Sequence, residues 1–112
     1  MIYKLLSAAE WADAETGGRY DGSAVDRQDG FVHLSAQDQV VETAARHFAD
    51  QADLVLLTVD PDRLGTELRW EPSRGGALFP HLYGPLPTDA VVAAAPVPAH
   101  LPVAEAVAAL LA

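Results

Sequence analysis

No cysteine occurs in the chain, so disulfide bonds, thiolate nucleophiles and cysteine-ligated zinc are excluded from the start. Basic residues are also scarce. Seven Lys and Arg face sixteen Asp and Glu, a formal net charge of −9 that repels phosphate backbones and anionic membrane surfaces at long range. Bulk nucleic-acid binding is therefore not expected. A small anionic ligand is compatible with that charge, because a few arginines in a cleft outweigh the global field locally, and Arg19, Arg27, Arg69 and Arg74 are the candidates. No apolar run approaches the roughly 20 residues that cross a bilayer. Met1 to Leu6 is too short for a signal-peptide core, and the expectation is a cytoplasmic protein without a membrane partner. Phosphate-loop, dinucleotide and G-x-S-x-G fingerprints are missing, and no histidine pair has H-x-x-x-H spacing, so no metal site is expected.

Half of the 112 residues are apolar, enough for one core and one domain spanning 1–112. The pattern predicts a strand over residues 2–6 and then a helix capped by Ser7, with Glu10 at capping-box spacing and Gly17-Gly18 as its stop. Residues 19–30 read as a long polar loop, with Asp21, Asp26 and Asp29 as turn formers. Phe31 to Leu34 reads as a second strand, and Ser35 as the N-cap of a helix burying Val40, Val41, Ala44, Ala45 and Phe48. Leu54 to Val59 has the continuous apolar text of a strand covered on both faces. A short strand within 64–71, an edge or irregular segment over 78–82 around Pro80, and a last strand over 90–95 follow. The closing helix carries Val103, Val107, Leu110 and Leu111 on one stripe. This order describes an α+β domain, a mixed sheet with helices packed on it.

Two segments concentrate chemistry. In Asp29-Gly30-Phe31-Val32-His33-Leu34-Ser35, strand alternation places His33 on one face with Phe31 and Ser35. An imidazole and a hydroxyl would then meet beside a helix N-terminus, which suits phosphate or ribose hydroxyls. Capping alone would account for Ser35, and an internal hydrogen bond would satisfy His33 as well as a ligand does. The second segment, Trp70 to Gly84, gathers Glu71, Arg74, His81 and Tyr83 around glycines. Glu71 suits a general base or a ribose-hydroxyl acceptor, and Arg74 a bidentate phosphate contact. The competing readings are a surface Glu71–Arg74 ion pair and a Tyr83 ring packed as core.

These residues carry a resemblance. Ile2-Tyr3-Lys4, Gly22-Ser23, Asp29 to Ser35, His47-Phe48, Asp53 to Leu57, Trp70-Glu71, Arg74-Gly75-Gly76 and Phe79 to Gly84 together resemble the bacterial domain-of-unknown-function 952 family, from Ile2 to about Val92. That resemblance implies an ADP-ribosyltransferase-like fold, a mixed, split sheet that cradles NAD. Val32-His33-Leu34-Ser35 is similar to the His-x-Ser/Thr strand of that superfamily, especially in RNA 2′-phosphotransferases. By it, His33 would bond a ribose hydroxyl of NAD or ADP-ribose, Ser35 would help fix it, and Tyr83 would stack on nicotinamide. The chain departs from the His-Tyr-Glu pattern in its acid, since Glu71 comes early and the late candidate, Asp89, falls in a turn. The expected function is binding of NAD, ADP-ribose or a related nucleotide, with ADP-ribosyl transfer or NAD glycohydrolysis as the associated chemistry. His33 and Glu71 are the catalytic candidates, and Ser35, Arg74, His81 and Tyr83 the binding ones. The alternative is a non-catalytic module for another small metabolite or a protein, and the expected assembly is a monomer or weak dimer.

Overall fold

Leu54–Val59 (β5) ties the molecule together because both of its faces are apolar; the computed structural model describes residues 1–112. Val55, Leu57 and Val59 enter one hydrophobic cluster, and Leu54 and Leu56 enter another. Ile2–Ser7 (β1) lies beside it with the same division, Ile2 and Leu6 on the first face and Tyr3 and Leu5 on the second. Ser35–Ala36 (β4) and Val91–Pro96 (β9) complete a sheet of order β4-β1-β5-β9. Its pairings are antiparallel, where the sequence suggested a mixed sheet. The reason lies in the register. Ser7 pairs with Leu54 and the Ala8 amide donates to the Asp53 carbonyl, so β5 begins at the end where β1 stops.

Two helices cover the second face. Val40–His47 (α3) contributes Val40 and Ala44, and Val103–Leu111 (α4) contributes Val103 and Val107. Ala45 and Leu110, expected inward, are exposed, and Ala106 is buried instead. The first face is covered by Ala8–Gly17 (α1) and by the short pair Arg19–Tyr20 (β2) and Leu86–Pro87 (β8). Beside them stands a three-stranded sheet of Val32–His33 (β3), Leu78–Leu82 (β7) and Leu68–Pro72 (β6), in the order β3-β7-β6. β7 is its central strand, although Pro80 marked it as an edge. Proline is tolerated because β3 pairs only Val32 and His33 with it, and the missing donor falls where that ladder ends. There the Pro80 carbonyl still accepts from the Leu34 amide at 3.1 Å.

Local signals set the helix starts. Ser7 and Glu10 form the expected capping box, the Glu10 amide donating to Ser7 Oγ at 3.0 Å. The polar 19–30 segment is not one loop. It contains β2 and a short helix, Ala24–Asp29 (α2), opened by a second box in which the Asp26 amide donates to Ser23 Oγ and Asp26 Oδ2 accepts from the Ser23 amide. A helix this short shows no apolar periodicity, which is why it is missed in the sequence. Gly22 leads into it at φ +103°, and a Cβ there would lie 2.8 Å from the Asp26 Cβ. Gly22→Ala is therefore expected to cost about 1–3 kcal/mol, read from the urea midpoint. An unchanged midpoint would show that the close approach is not required.

Candidate functional site

The chain changes sheets at Leu34. His33 pairs with His81 in the three-stranded sheet, while Ser35, two residues on, pairs with Tyr3 in the four-stranded one. Because β4 pairs only with Ile2 and Tyr3, the edge of β1 from Lys4 onward has no strand beside it. The two sheets part at this point and leave a cleft of about 580 Å³. Lys4, Asp26, His33, Ser35, Arg74 and His81 lie on its walls. Four residues singled out in the sequence, His33, Ser35, Arg74 and His81, thus meet in one cleft. Glu71 and Tyr83 do not line it.

Ser35 does not cap a helix. It sits in β4, buried, with its Oγ 3.2 Å from Thr43 Oγ1, and α3 begins after Gln39 without a side-chain cap. No helix N-terminus therefore stands directly after the His33 strand, since a turn intervenes. Placed in the strand, Ser35 lies on the same cleft wall as His33, and its hydroxyl joins Thr43 there.

One part of the cleft wall is built around the Asp26 carboxylate. This carboxylate is 2% exposed and accepts from Lys4 Nζ at 2.9 Å, from the Ser23 amide at 2.9 Å, from the His33 amide at 3.1 Å and from His33 Nδ1 at 2.5 Å. Burial works to raise its pKa, but the His33 bond, the Lys4 charge and the Ser23 amide together hold it well below the usual carboxylate range. For Lys4 the order is reversed. Burial, only partly offset by Asp26 and Glu10, lowers its pKa from the usual lysine value. The other His33 nitrogen, Nε2, lies 2.9 Å from Asp29 Oδ2, so each ring nitrogen faces a carboxylate.

Arg74 supplies the positive charge of the cleft. Arg74 follows a break in β6 and is turned inward by Gly75 and Gly76, at φ +70° and +81°. Its guanidinium lies over the Phe79 ring, 5.0 Å from the centroid, with Nη2 donating to Thr43 Oγ1 at 3.3 Å and Nη1 3.5 Å from His47 Nε2. It forms no salt bridge, so the Glu71–Arg74 surface pair is not made. Glu71 turns the other way. Its Oε1 accepts from His81 Nδ1 at 2.8 Å and from the Tyr83 hydroxyl at 2.6 Å. Those bonds, Tyr83 first, lower the Glu71 pKa, and the bond to Glu71 raises that of Tyr83. Glu71 and Tyr83 thus reach the cleft only through His81, whose ring stacks on Phe31 with centroids 4.0 Å apart.

Of the remaining arginines, Arg19 pairs with exposed Asp21 and Arg69 lies over the Tyr83 ring. Lys4 and Asp26 were not chosen from the sequence. A lysine inside the apolar text Ile2-Tyr3-Lys4-Leu5-Leu6 and an acid three residues after Ser23 were the available signals. No group of three or more His, Asp or Glu side chains is placed to hold a metal ion.

The family model described as "Protein of unknown function (DUF952)" matches residues 5–94. The crystal structure of protein CC0527 from Caulobacter crescentus is 57% identical, with a TM-score of 0.84 over 87% of this chain and 85% of that one. The solution NMR structure of CC0527 is 55% identical, with a TM-score of 0.76 over 88% of this chain and 87% of that one. No curated protein matches the sequence.

Proposed function

The chain belongs to the DUF952 family, and within that family of unassigned activity we propose that it is a pocket protein for a ribose-bearing diphosphate, NAD or ADP-ribose. The observation that carries this reading is the single cleft holding His33, Ser35, Arg74 and His81. Its volume falls within the range of small-molecule sites, about 300–1,000 Å³. It carries both a free guanidinium and carboxylates, as such a ligand requires. Arg74 is free of any carboxylate and stands beside the Thr43 hydroxyl and His47, a seat for a diphosphate. His33 and exposed Asp29 suit ribose hydroxyls and the cationic nicotinamide ring, with Asp26 holding His33 in place.

In this reading the parted antiparallel sheets are an ADP-ribosyltransferase-like arrangement, and His33 sets the ribose. Ser35 and Thr43 support the phosphate side. Glu71 acts through His81, and Tyr83 braces Glu71 rather than stacking on the base. Binding is the primary claim. Cleavage of the nicotinamide glycosidic bond is the chemistry these groups would serve, with the cleft carboxylates stabilising an oxocarbenium-like transition state.

Titration of the ¹⁵N-labelled protein with NAD and with ADP-ribose is expected to shift the amides of His33, Ser35, Thr43 and Arg74. Arg74→Ala is expected to weaken ADP-ribose binding ~10–100-fold, the loss of a charge-assisted phosphate contact. Absent shifts, or an equal response from wild type, Arg74→Ala and His33→Ala, would remove the nucleotide assignment.

A further inference from the structure

His33 and His81 are cross-strand partners with ring centroids 5.8 Å apart, and both lie on the cleft wall. Each ring is held at Nδ1 by a carboxylate, Asp26 in one case and Glu71 in the other. Their second nitrogens differ. His33 Nε2 faces Asp29 at 2.9 Å, so the ring satisfies both of its carboxylates only with a proton on each nitrogen. His81 gives its Nδ1 proton to Glu71, and its Nε2 makes no hydrogen bond within the protein. That Nε2 is not sealed either, because no buried side-chain nitrogen or oxygen lacks a partner. One imidazole is thus set as a proton donor and its neighbour as a bare acceptor, in the same cleft as a guanidinium without a counter-charge.

We propose that His33 and His81 are a general acid and general base that hydrolyse a phosphodiester carried on a ribose. This rests on the cleft being a nucleotide site and adds a second chemistry to it. Arg74 is linked toward the pair through hydroxyls: its Nη2 bonds Thr43 Oγ1, which bonds Ser35 Oγ, two residues beyond His33 and on the same cleft wall. In this proposal the phosphoryl group sits between Arg74 and the two rings, which line the same cleft. Water is the co-reactant. His81 Nε2 takes a proton from water as its oxygen bonds to phosphorus, the bond from phosphorus to the leaving ribose oxygen breaks, and His33 Nε2 delivers its proton to that oxygen. The products are a phosphomonoester and a free hydroxyl, and solvent returns the two rings to their starting states. Asp29 is exposed and yields Nε2 to the leaving oxygen. Direct attack by water fits a chain that has no cysteine and no serine elbow.

The groups facing the pair are Asp26 and Asp29 from α2, with Lys4 of β1 behind Asp26, and Glu71 and Tyr83 around His81. Activity should accordingly be bell-shaped in pH, because it requires His81 without and His33 with its Nε2 proton.

The probe is adenosine 2′,3′-cyclic phosphate, with conversion to adenosine monophosphate followed between pH 5 and 9. His81→Asn and His33→Asn each retain an amide N–H near the Nδ1 position, so the bonds to Glu71 and Asp26 survive while Nε2 is lost. Each variant, checked for a cooperative melt, is expected to lose at least about 100-fold in rate. His81→Asn should also lose the acidic limb of the profile and His33→Asn the basic limb. Either variant at wild-type rate, or limbs unchanged, overturns the acid–base assignment. So does an inert wild type, and the ADP-ribose titration then separates two cases. If the cleft amides shift, the nucleotide pocket stands without this chemistry; if they do not, both readings fall together.

Discussion

Asp26→Ala is expected to lower stability by about 3–5 kcal/mol, measured by urea denaturation at pH 7, because it leaves the buried Lys4 ammonium without its counter-charge. The same change removes half of the α2 capping box and frees the His33 ring. Lys4→Met combined with Asp26→Ala should recover part of the loss, since no uncompensated charge then remains, and the double-mutant cycle with the two single variants isolates the pair. If the single and double variants are equally destabilised, the buried charge is not the cause.

Acid unfolding follows from the same carboxylate. In the unfolded chain Asp26 titrates near its ordinary value of 3.8, and in the folded protein it titrates below that. At a pH above about 5 both forms are ionised and the full stabilisation is present. As the pH falls through and below 3.8, the unfolded chain takes up a proton that the folded protein refuses, and stability drops toward the folded value. Asp26→Asn should flatten that slope by about 1.4 kcal/mol per pH unit. Retention of the wild-type slope would place the effect on another group.

Leu57→Ala is expected to cost about 2–5 kcal/mol, because Leu57 is 0% exposed on the central strand and its neighbours cannot collapse into the space left. Val92, on edge strand β9 and 46% exposed, is the control, and Val92→Ala should change stability by less than about 0.5 kcal/mol. Equal urea midpoints for the two variants would mean that β5 is not the strand on which the two hydrophobic clusters meet.

The legible parts of the fold are those with a local cause. The Ser7–Glu10 box, the apolar run of β5 and the stripe of α3 each state their structure within a few residues. Misreadings arise where a distant partner decides. Ser35 has the spacing of a cap, yet its backbone pairs with Tyr3, a contact that strand pairing outweighs. Pro80 suggests an edge, yet a neighbour only two residues long lets β7 lie in the middle. Asp26 has the sequence context of a turn former, and only the return of α2 to the side of β1 brings it against Lys4.

The candidate site divides in the same way. Strand alternation suggests one face for His33 with Ser35 and one for His81 with Tyr83, because side-chain direction along a strand is a two-residue property. Yet the chain changes sheets between the first two, and only His81 of the second two lines the cleft. That His33, Arg74 and His81 share a cleft, that Glu71 stands behind His81, and that Asp26 rather than a helix terminus holds His33 are decided by packing between segments far apart in the chain. Such contacts depend on where the sheets part, and that follows from the short reach of β4 along β1, which no local pattern encodes.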